Sequence, residues 1–189
     1  SFGIPPAGEP DRCQDRPMPA GPKLRAPRLD TPFHIALVEP EIPPNTGAVA
    51  RTCAATGSPL HLVGELGFRI DEQSVRRAGL DYWHLVDLRR HESFEAFLEA
   101  EPGRRLHLFT ANTDRSYLDA DFQPGDVLVF GRESVGLPQS ILERFPDRAV
   151  AIPTLGEVRS LNLSNAVAIA LYEALRQVDA LATEKLSMG

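Results

Sequence analysis

Val127-Leu128-Val129-Phe130-Gly131-Arg132-Glu133-Ser134-Val135-Gly136-Leu137-Pro138 is the stretch on which the reading of this chain turns. Four consecutive apolar residues, continuous rather than alternating, suggest a strand covered on both faces, as in a parallel sheet. Gly131 follows at once, and a glycine there lets backbone approach a ligand closely. Glu133 would project into that space, or simply cap a tight turn as an exposed carboxylate. Pro138 suits the first turn of a helix that ends near Arg144.

The same strand, loop and helix grammar recurs outward. Short apolar runs fall at residues 33–38, 60–63, 83–88, 106–110 and 149–152. Asn45 or Thr46 can cap a helix running to Thr56, with Gly57 as its stop. Ser93 can cap another over 94–100, closing before Pro102 and Gly103. The longest spans about 161–178, where Val167, Ala170, Leu171, Ala174, Leu175 and Val178 form one stripe at helical spacing. The fold expected is α/β, a mostly parallel sheet flanked by helices, in one domain over residues 32–179. Residues 1–31 form a proline-rich extension expected to be disordered, and 180–189 a flexible tail.

Composition narrows the function only a little. The chain of 189 residues is 42% hydrophobic and carries a net charge of −6, which argues against a simple electrostatic nucleic-acid binder. Most of its cations are arginines, and several come in pairs: Arg76-Arg77, Arg89-Arg90 and Arg104-Arg105. Arginine suits bidentate phosphate contact, although a solvated helix end is the commoner use of such pairs. No apolar run is long enough to span a membrane, and the start lacks the pattern of a secretory signal. Cys13 and Cys53 are badly placed to pair, so a reducing cytoplasm is expected.

Three segments at the expected carboxyl ends of strands could carry chemistry. In the first, Glu39-Pro40-Glu41-Ile42-Pro43-Pro44-Asn45-Thr46-Gly47, two prolines stiffen the approach to a helix N-terminus that can receive an anion, with Arg51 one to two turns in. The second holds Gly131 and Glu133. The third, 152–165, runs into the long helix with Ser160, Asn162, Ser164 and Asn165 around its first turn. One cap needs one residue, and this excess favours a site built from hydroxyls, amides and backbone. No GxGxxG, P-loop, GxSxG or readable metal-ligand set is present, and the five histidines read as structural.

These segments, in this order, resemble the SpoU branch of the SPOUT methyltransferases. Asn45 with Arg51 looks like that branch's first motif. Gly131, Glu133, Gly136, Leu137 and Pro138 look like its second, and Ser160, Asn162, Leu163, Ser164, Asn165 and Ala166 like its third. Residues 39–47, 66–68, 76–82 and 159–167 are further similar to the bacterial tRNA wobble-nucleotide 2′-O-methyltransferases. Arg132-Glu133-Ser134-Val135 stands where Pro-Glu-Thr-Arg is commoner in that family.

The resemblance implies a C-terminal deep trefoil knot (the SPOUT, or alpha-beta knot, fold), a homodimer, and S-adenosylmethionine bound without metal. It implies cofactor contacts at Phe109, Gly131, Ile152, Ser160, Leu161 and Asn165. Catalytic work would fall to Arg51, Glu133, Ser164 and Asn165, and RNA contact to Asn45, Arg51, Arg76, Arg77 and Arg159. The substrate implied is the ribose 2′-hydroxyl at the wobble position in a tRNA anticodon stem-loop. Alternatives are a ribosomal RNA or another tRNA position, or a silent RNA-binding factor on the same scaffold.

Overall fold

The computed structural model describes residues 24–68 and 85–182. Among them, six strands form one all-parallel sheet: β1 (His34–Val38), β2 (Leu60–Val63), β3 (Leu88–His91), β4 (Leu106–Phe109), β5 (Val127–Phe130) and β6 (Ala149–Val150), in the order β3-β2-β1-β5-β4-β6. Four helices join them: α1 (Pro43–Thr56), α2 (Phe94–Ala100), α3 (Gln139–Arg144) and α4 (Leu163–Gln177).

The continuous apolar runs have the meaning expected of them, since every residue of β1, β2, β4 and β5 is buried. On one face Ile35, Leu37, Leu60, Leu62, Leu128 and Phe130 pack with Val49 and Cys53 of α1 and with Val167, Ala170, Leu171 and Ala174 of α4. On the other, Ala36, Val38, Val63, Leu108, Val127 and Val129 pack with Phe94 and Phe97 of α2 and Ile141 of α3. Each such large side chain is worth about 1.5–3 kcal/mol when fully buried. Leu29 and Ala180, on either side of the sheet-and-helix region, pack against the first cluster.

This layering positions the site. Neighbouring strands β1 and β5 run parallel, with Leu37 opposite Phe130, yet the helices that follow them go to opposite faces. The two departing loops meet beyond the carboxyl ends of these strands, which is where open parallel sheets bind ligands.

Three boundaries differ from the sequence expectation, each for a physical reason. Helix α1 begins at Pro43, with Ile42 and not Asn45 or Thr46 at its cap. Prolines lack only the N–H groups that a first turn leaves unpaired anyway. Of the strand expected at 83–88, residues 83 and 84 lie outside the described residues, and the strand described is Leu88–His91, aligned on β2 through Leu60 opposite Leu88. As a sheet edge, it tolerates the polar sequence Arg89-Arg90-His91, which carries no apolar signal. Helix α4 starts at Leu163, because Asn162 takes the cap and accepts from Ser164 N and Asn165 N. Two further ends follow expectation, since Ser93 accepts from Ala96 N and Gly57 ends α1 in the left-handed conformation, whereas Pro138 stands at the cap of α3 and not in its first turn.

Candidate functional site

The loop after β5 is a closed turn. Arg132 N donates to Gly136 O at 3.0 Å, and Gly136 N returns the bond to Arg132 O at 2.9 Å. A Cβ on Gly131 would lie 2.1 Å from the Gly136 carbonyl carbon. The close approach that requires glycine here is thus to the chain itself, and not only to a ligand as the sequence suggested.

From the tip of this turn Glu133 reaches across to the loop after β1. Its Oε2 accepts from Glu41 N at 2.8 Å, and its Oε1 accepts from Asn45 Nδ2 at 3.0 Å and Ile42 N at 3.3 Å. Asn45 then passes the connection on, because its Oδ1 accepts from Asn162 Nδ2 at 2.9 Å. Asn162 Oδ1 in turn receives Ser164 N at 2.9 Å, Ser164 Oγ at 2.7 Å and Asn165 N at 3.4 Å. One unbroken line of side-chain hydrogen bonds therefore ties the three polar segments together. Glu41 answers Glu133 from the other side, accepting from Ser134 N at 3.0 Å and Ser134 Oγ at 2.9 Å. Those bonds hold the Glu41 carboxyl below the usual carboxylate range.

This geometry assigns work to the residues. Three donors converge on the Glu133 carboxylate, which makes it an organiser of the loops. Asn45, buried with both ends of its amide engaged, is a junction inside the protein; the sequence had placed it on RNA. Asn162 joins the segments; the sequence reading names it among the four polar residues of the third segment without a catalytic, cofactor or RNA role. Its signal was present, since one of four polar residues had to be the cap, but nothing local showed which distant loop its amide would meet.

Arg51 lies on the exposed side of α1, six residues beyond Asn45. At 100° and 1.5 Å per residue, that is about 9 Å along the axis and roughly 240° around it. It therefore does not share Asn45's face of the helix. Arg159 is exposed in the loop before α4, while Arg76 and Arg77 lie outside the described residues.

Three of the expected cofactor residues, Phe109, Gly131 and Ile152, lie at the carboxyl ends of the adjacent strands β4, β5 and β6. Phe109 stacks on Phe130 with ring centroids 4.6 Å apart. Gly131 follows Phe130, and half-buried Ile152 packs against the same core. Ser160 and Asn165 are exposed and Leu161 half-buried around the start of α4. Residues 153–160 are exposed throughout, Leu155 completely so. Among the described residues, the peptide groups of 153–160 make no hydrogen bond with the protein. A run of free backbone donors and acceptors beside an apolar floor fits a ligand that is part nucleoside and part zwitterion.

The arginine pairs go elsewhere. Arg89 donates to Glu101 and, at 2.7 Å, to Asp87; Arg104 Nε reaches Glu101 Oε2 at 2.5 Å; Arg105 pairs with Asp126 at 2.9 Å. Three of these four arginines are thus committed to carboxylates and are not poised for phosphate.

Near them, a row of imidazoles crosses the sheet. His34 Nδ1 and His61 Nε2 lie 2.9 Å apart, as do His61 Nδ1 and His91 Nε2, and the rings stack. Burial lowers His34 to about 4 and His61 to about 3. Burial pushes Glu101 up, but the Arg104 and Arg89 guanidiniums outweigh it and hold the carboxyl low. Donor atoms of His34, His61 and Glu101 fall within 4.8 Å of one another, a convergence that the sequence, with no readable ligand set, did not reveal. The imidazoles already bond each other, and both Glu101 oxygens hold guanidinium donors, so a divalent ion would add to two fixed cations.

With this geometry in hand, similarity to known proteins becomes informative. The SpoU rRNA Methylase family matches residues 32–172. A tRNA (cytidine(34)-2′-O)-methyltransferase of Methylovorus glucosotrophus is 47% identical over 148 residues, covering 78% of this chain and 96% of its own. A solved structure described as giving insights into the 2-OH methylation of C/U34 on tRNA is 53% identical, with a TM-score of 0.74 over 79% of this chain and 97% of that one. The SpoU methyltransferase AviRb from Streptomyces viridochromogenes, solved in complex with the cofactor AdoMet, is 28% identical with a TM-score of 0.65, over 80% of this chain and 62% of that one. The three tied segments lie in the matched region, and the chain belongs to the SpoU rRNA methylase family.

Proposed function

We propose that this protein transfers a methyl group from S-adenosylmethionine to the ribose 2′-hydroxyl of nucleotide 34 of tRNA. The observation that carries the reading is the line Glu133–Asn45–Asn162–Ser164, which gathers all three polar segments beside the exposed 153–160 loop. Relatives matched over 96–97% of their own length, whose descriptions name this reaction, support it.

Bound S-adenosylmethionine would supply an electrophilic methyl on a sulfonium sulfur. Phe109, Gly131, Ile152, Ser160, Leu161 and Asn165 would hold it, chiefly through backbone. Transfer of that methyl to a hydroxyl oxygen would require an in-line approach, so positioning by these residues would supply much of the acceleration. Ser164 and Asn165, fixed on Asn162, keep the loop before α4 in place. Arg51 and Arg159, both exposed, would meet RNA, joined by Arg76 and Arg77.

A guanidinium stays protonated far above neutral pH, so Arg51 grips the adjacent phosphate and stabilises developing alkoxide charge rather than acting as base. The proton leaves to phosphate oxygen or water. The family resemblance also implies that Arg51 of one subunit acts at the site of a second. Ile169 and Tyr172, 40% and 47% exposed on α4, offer apolar surface for such a homodimer. The same reading carries the trefoil knot for the segment from β5 to α4.

The test is a map of 2′-O-methylation in tRNA from cells with and without this protein. Loss of methylation at nucleotide 34 supports the reading. Intact methylation there, with loss at another tRNA position or in ribosomal RNA, would move the substrate and keep the class.

A further inference from the structure

We propose that Glu39 and Arg132 form a positioning pair that sets the loop after β1 against the loop after β5, so that Arg132 serves methyl transfer through Glu133's turn and not as a phosphate contact. The inference rests on the function proposed above. Glu39 leaves β1 in a left-handed backbone conformation, φ 52°, which non-glycine residues seldom adopt. Three contacts hold it there. Its N–H donates to Val63 O at 2.8 Å. Its side chain passes over Gly64, where a Cβ would come within 2.8 Å of Glu39 Cγ. Its carboxylate oxygen Oε2 receives Arg132 Nε at 2.6 Å and Arg132 Nη2 as well.

Arg132 stands at the base of the turn that it closes with Gly136, and Glu133 and Ser134 stand at its tip. The two loops therefore meet at two levels. At the tip, Glu133 takes the amides of Glu41 and Ile42 and the side chain of Asn45, while Glu41 takes Ser134. At the base, the charged pair fixes the angle at which the tip is presented. Tip contacts alone leave the turn free to rock about its stem, and a rocking turn would carry Glu133, Asn45 and Asn162 with it.

Electrostatics separates this role from RNA binding. Glu39, Glu41 and Glu65 all act on Arg132, which offsets part of the negative charge of this acidic rim. Both engaged guanidinium nitrogens point at one carboxylate oxygen, so a phosphate would have to displace Glu39 to use them. Arg132 is placed to hold the loop and to screen its carboxylates from a polyanion.

The experiment uses the whole protein with S-adenosylmethionine and tRNA, measuring kcat and the KM for tRNA separately. The variants are Glu39→Gln, Arg132→Ala and the exchange Glu39→Arg with Arg132→Glu. A positioning pair predicts that each single change lowers kcat by about three- to fivefold, the kinetic equivalent of an exposed ion pair. The KM for tRNA stays within about twofold, and the exchange recovers part of kcat. Hydrogen exchange at the Glu41 and Ile42 amides quickens in the single variants and slows again in the exchange. The proposal is overturned if Arg132→Ala raises the KM for tRNA with kcat intact while Glu39→Gln is harmless, or if both amides exchange at the wild-type rate in every variant. Should the wild-type protein methylate no tRNA, the proposed function falls, and the amide rates still decide whether the pair holds the loops.

Discussion

The carboxyl-end loops and the histidine row both bring polar side chains together on one sheet, by opposite means. In the row, His34, His61 and Glu101 are buried and meet partners on the same sheet or on the helix that covers it. At the loops, Ser134 and Asn162 are exposed and Glu41 and Glu133 half-buried, and their partners across the loops lie about 90 to 120 residues away in sequence. Buried polar groups satisfied by near neighbours serve the fold, while exposed groups held by distant ones cost order and repay it only at a working surface. Stability should therefore answer to the row, and catalysis to the loops.

The largest separation should come from Arg51. Exposed on α1, it can be changed to alanine at a stability cost of at most about 1 kcal/mol, that of a surface polar or charged contact. Methylation of tRNA should nonetheless fall by about a hundredfold or more, as when a group that stabilises developing charge is removed. A turnover assay beside a urea melt gives both numbers. Arg51→Lys, a charge without the planar fork, should recover only part of the loss, and near-normal turnover would remove any bidentate role.

Glu133→Ala is the case in which the two regions blur, because it leaves the amides of Glu41 and Ile42 and the Asn45 side chain without their acceptor. About 2–3 kcal/mol of stability should be lost along with activity. Glu133→Gln keeps an acceptor and should lie between. If Glu133→Ala left stability untouched, the line joining the three segments would not be holding them.

The row should show itself in acid. Burial lowers His61 to about 3, so above an unfolded-state value near 6.5 neither state binds the proton and the row costs nothing. As the pH falls below that value, the unfolded chain takes the proton and the folded chain does not, and stability declines down to the folded pKa. At pH 5 the His61 contribution alone is about 2 kcal/mol. Urea midpoints at pH 7 and pH 5 should differ accordingly, and His61→Leu should flatten the slope. An unchanged slope in that variant would show that other groups set the acid limit.

The smallest effect is expected at Thr46, whose buried hydroxyl has no partner among the described residues. Thr46→Val removes an unsatisfied polar atom at constant shape, so stability should hold or rise slightly. A clear loss of activity in a stable Thr46→Val protein would instead give that hydroxyl a part in the site.

What could be read from the residues divides along the same line. Buried strands and the α4 stripe were legible because both depend on local apolar pattern, as at Val127–Phe130 and at Val167, Leu171 and Ala174. Edge strand β3 was not, since Arg89-Arg90-His91 needs no apolar face. At the site, residue types and motif order pointed to the right segments, but partners did not follow from spacing. Asn45 looked like a helix cap and an RNA contact because no local pattern reveals an acceptor such as Glu133, 88 residues on. The histidine row was invisible for the same reason: three imidazoles on three strands meet only once the register is set.

The central claim, methyl transfer to the 2′-hydroxyl of nucleotide 34, is tested most directly by incubating the purified protein with S-adenosylmethionine and unmodified tRNA, then mapping ribose methylation nucleotide by nucleotide. The account predicts one new 2′-O-methyl group, at position 34, that disappears with Arg51→Ala. Methylation confined to any other position, or none in tRNAs that bind the protein, would contradict it.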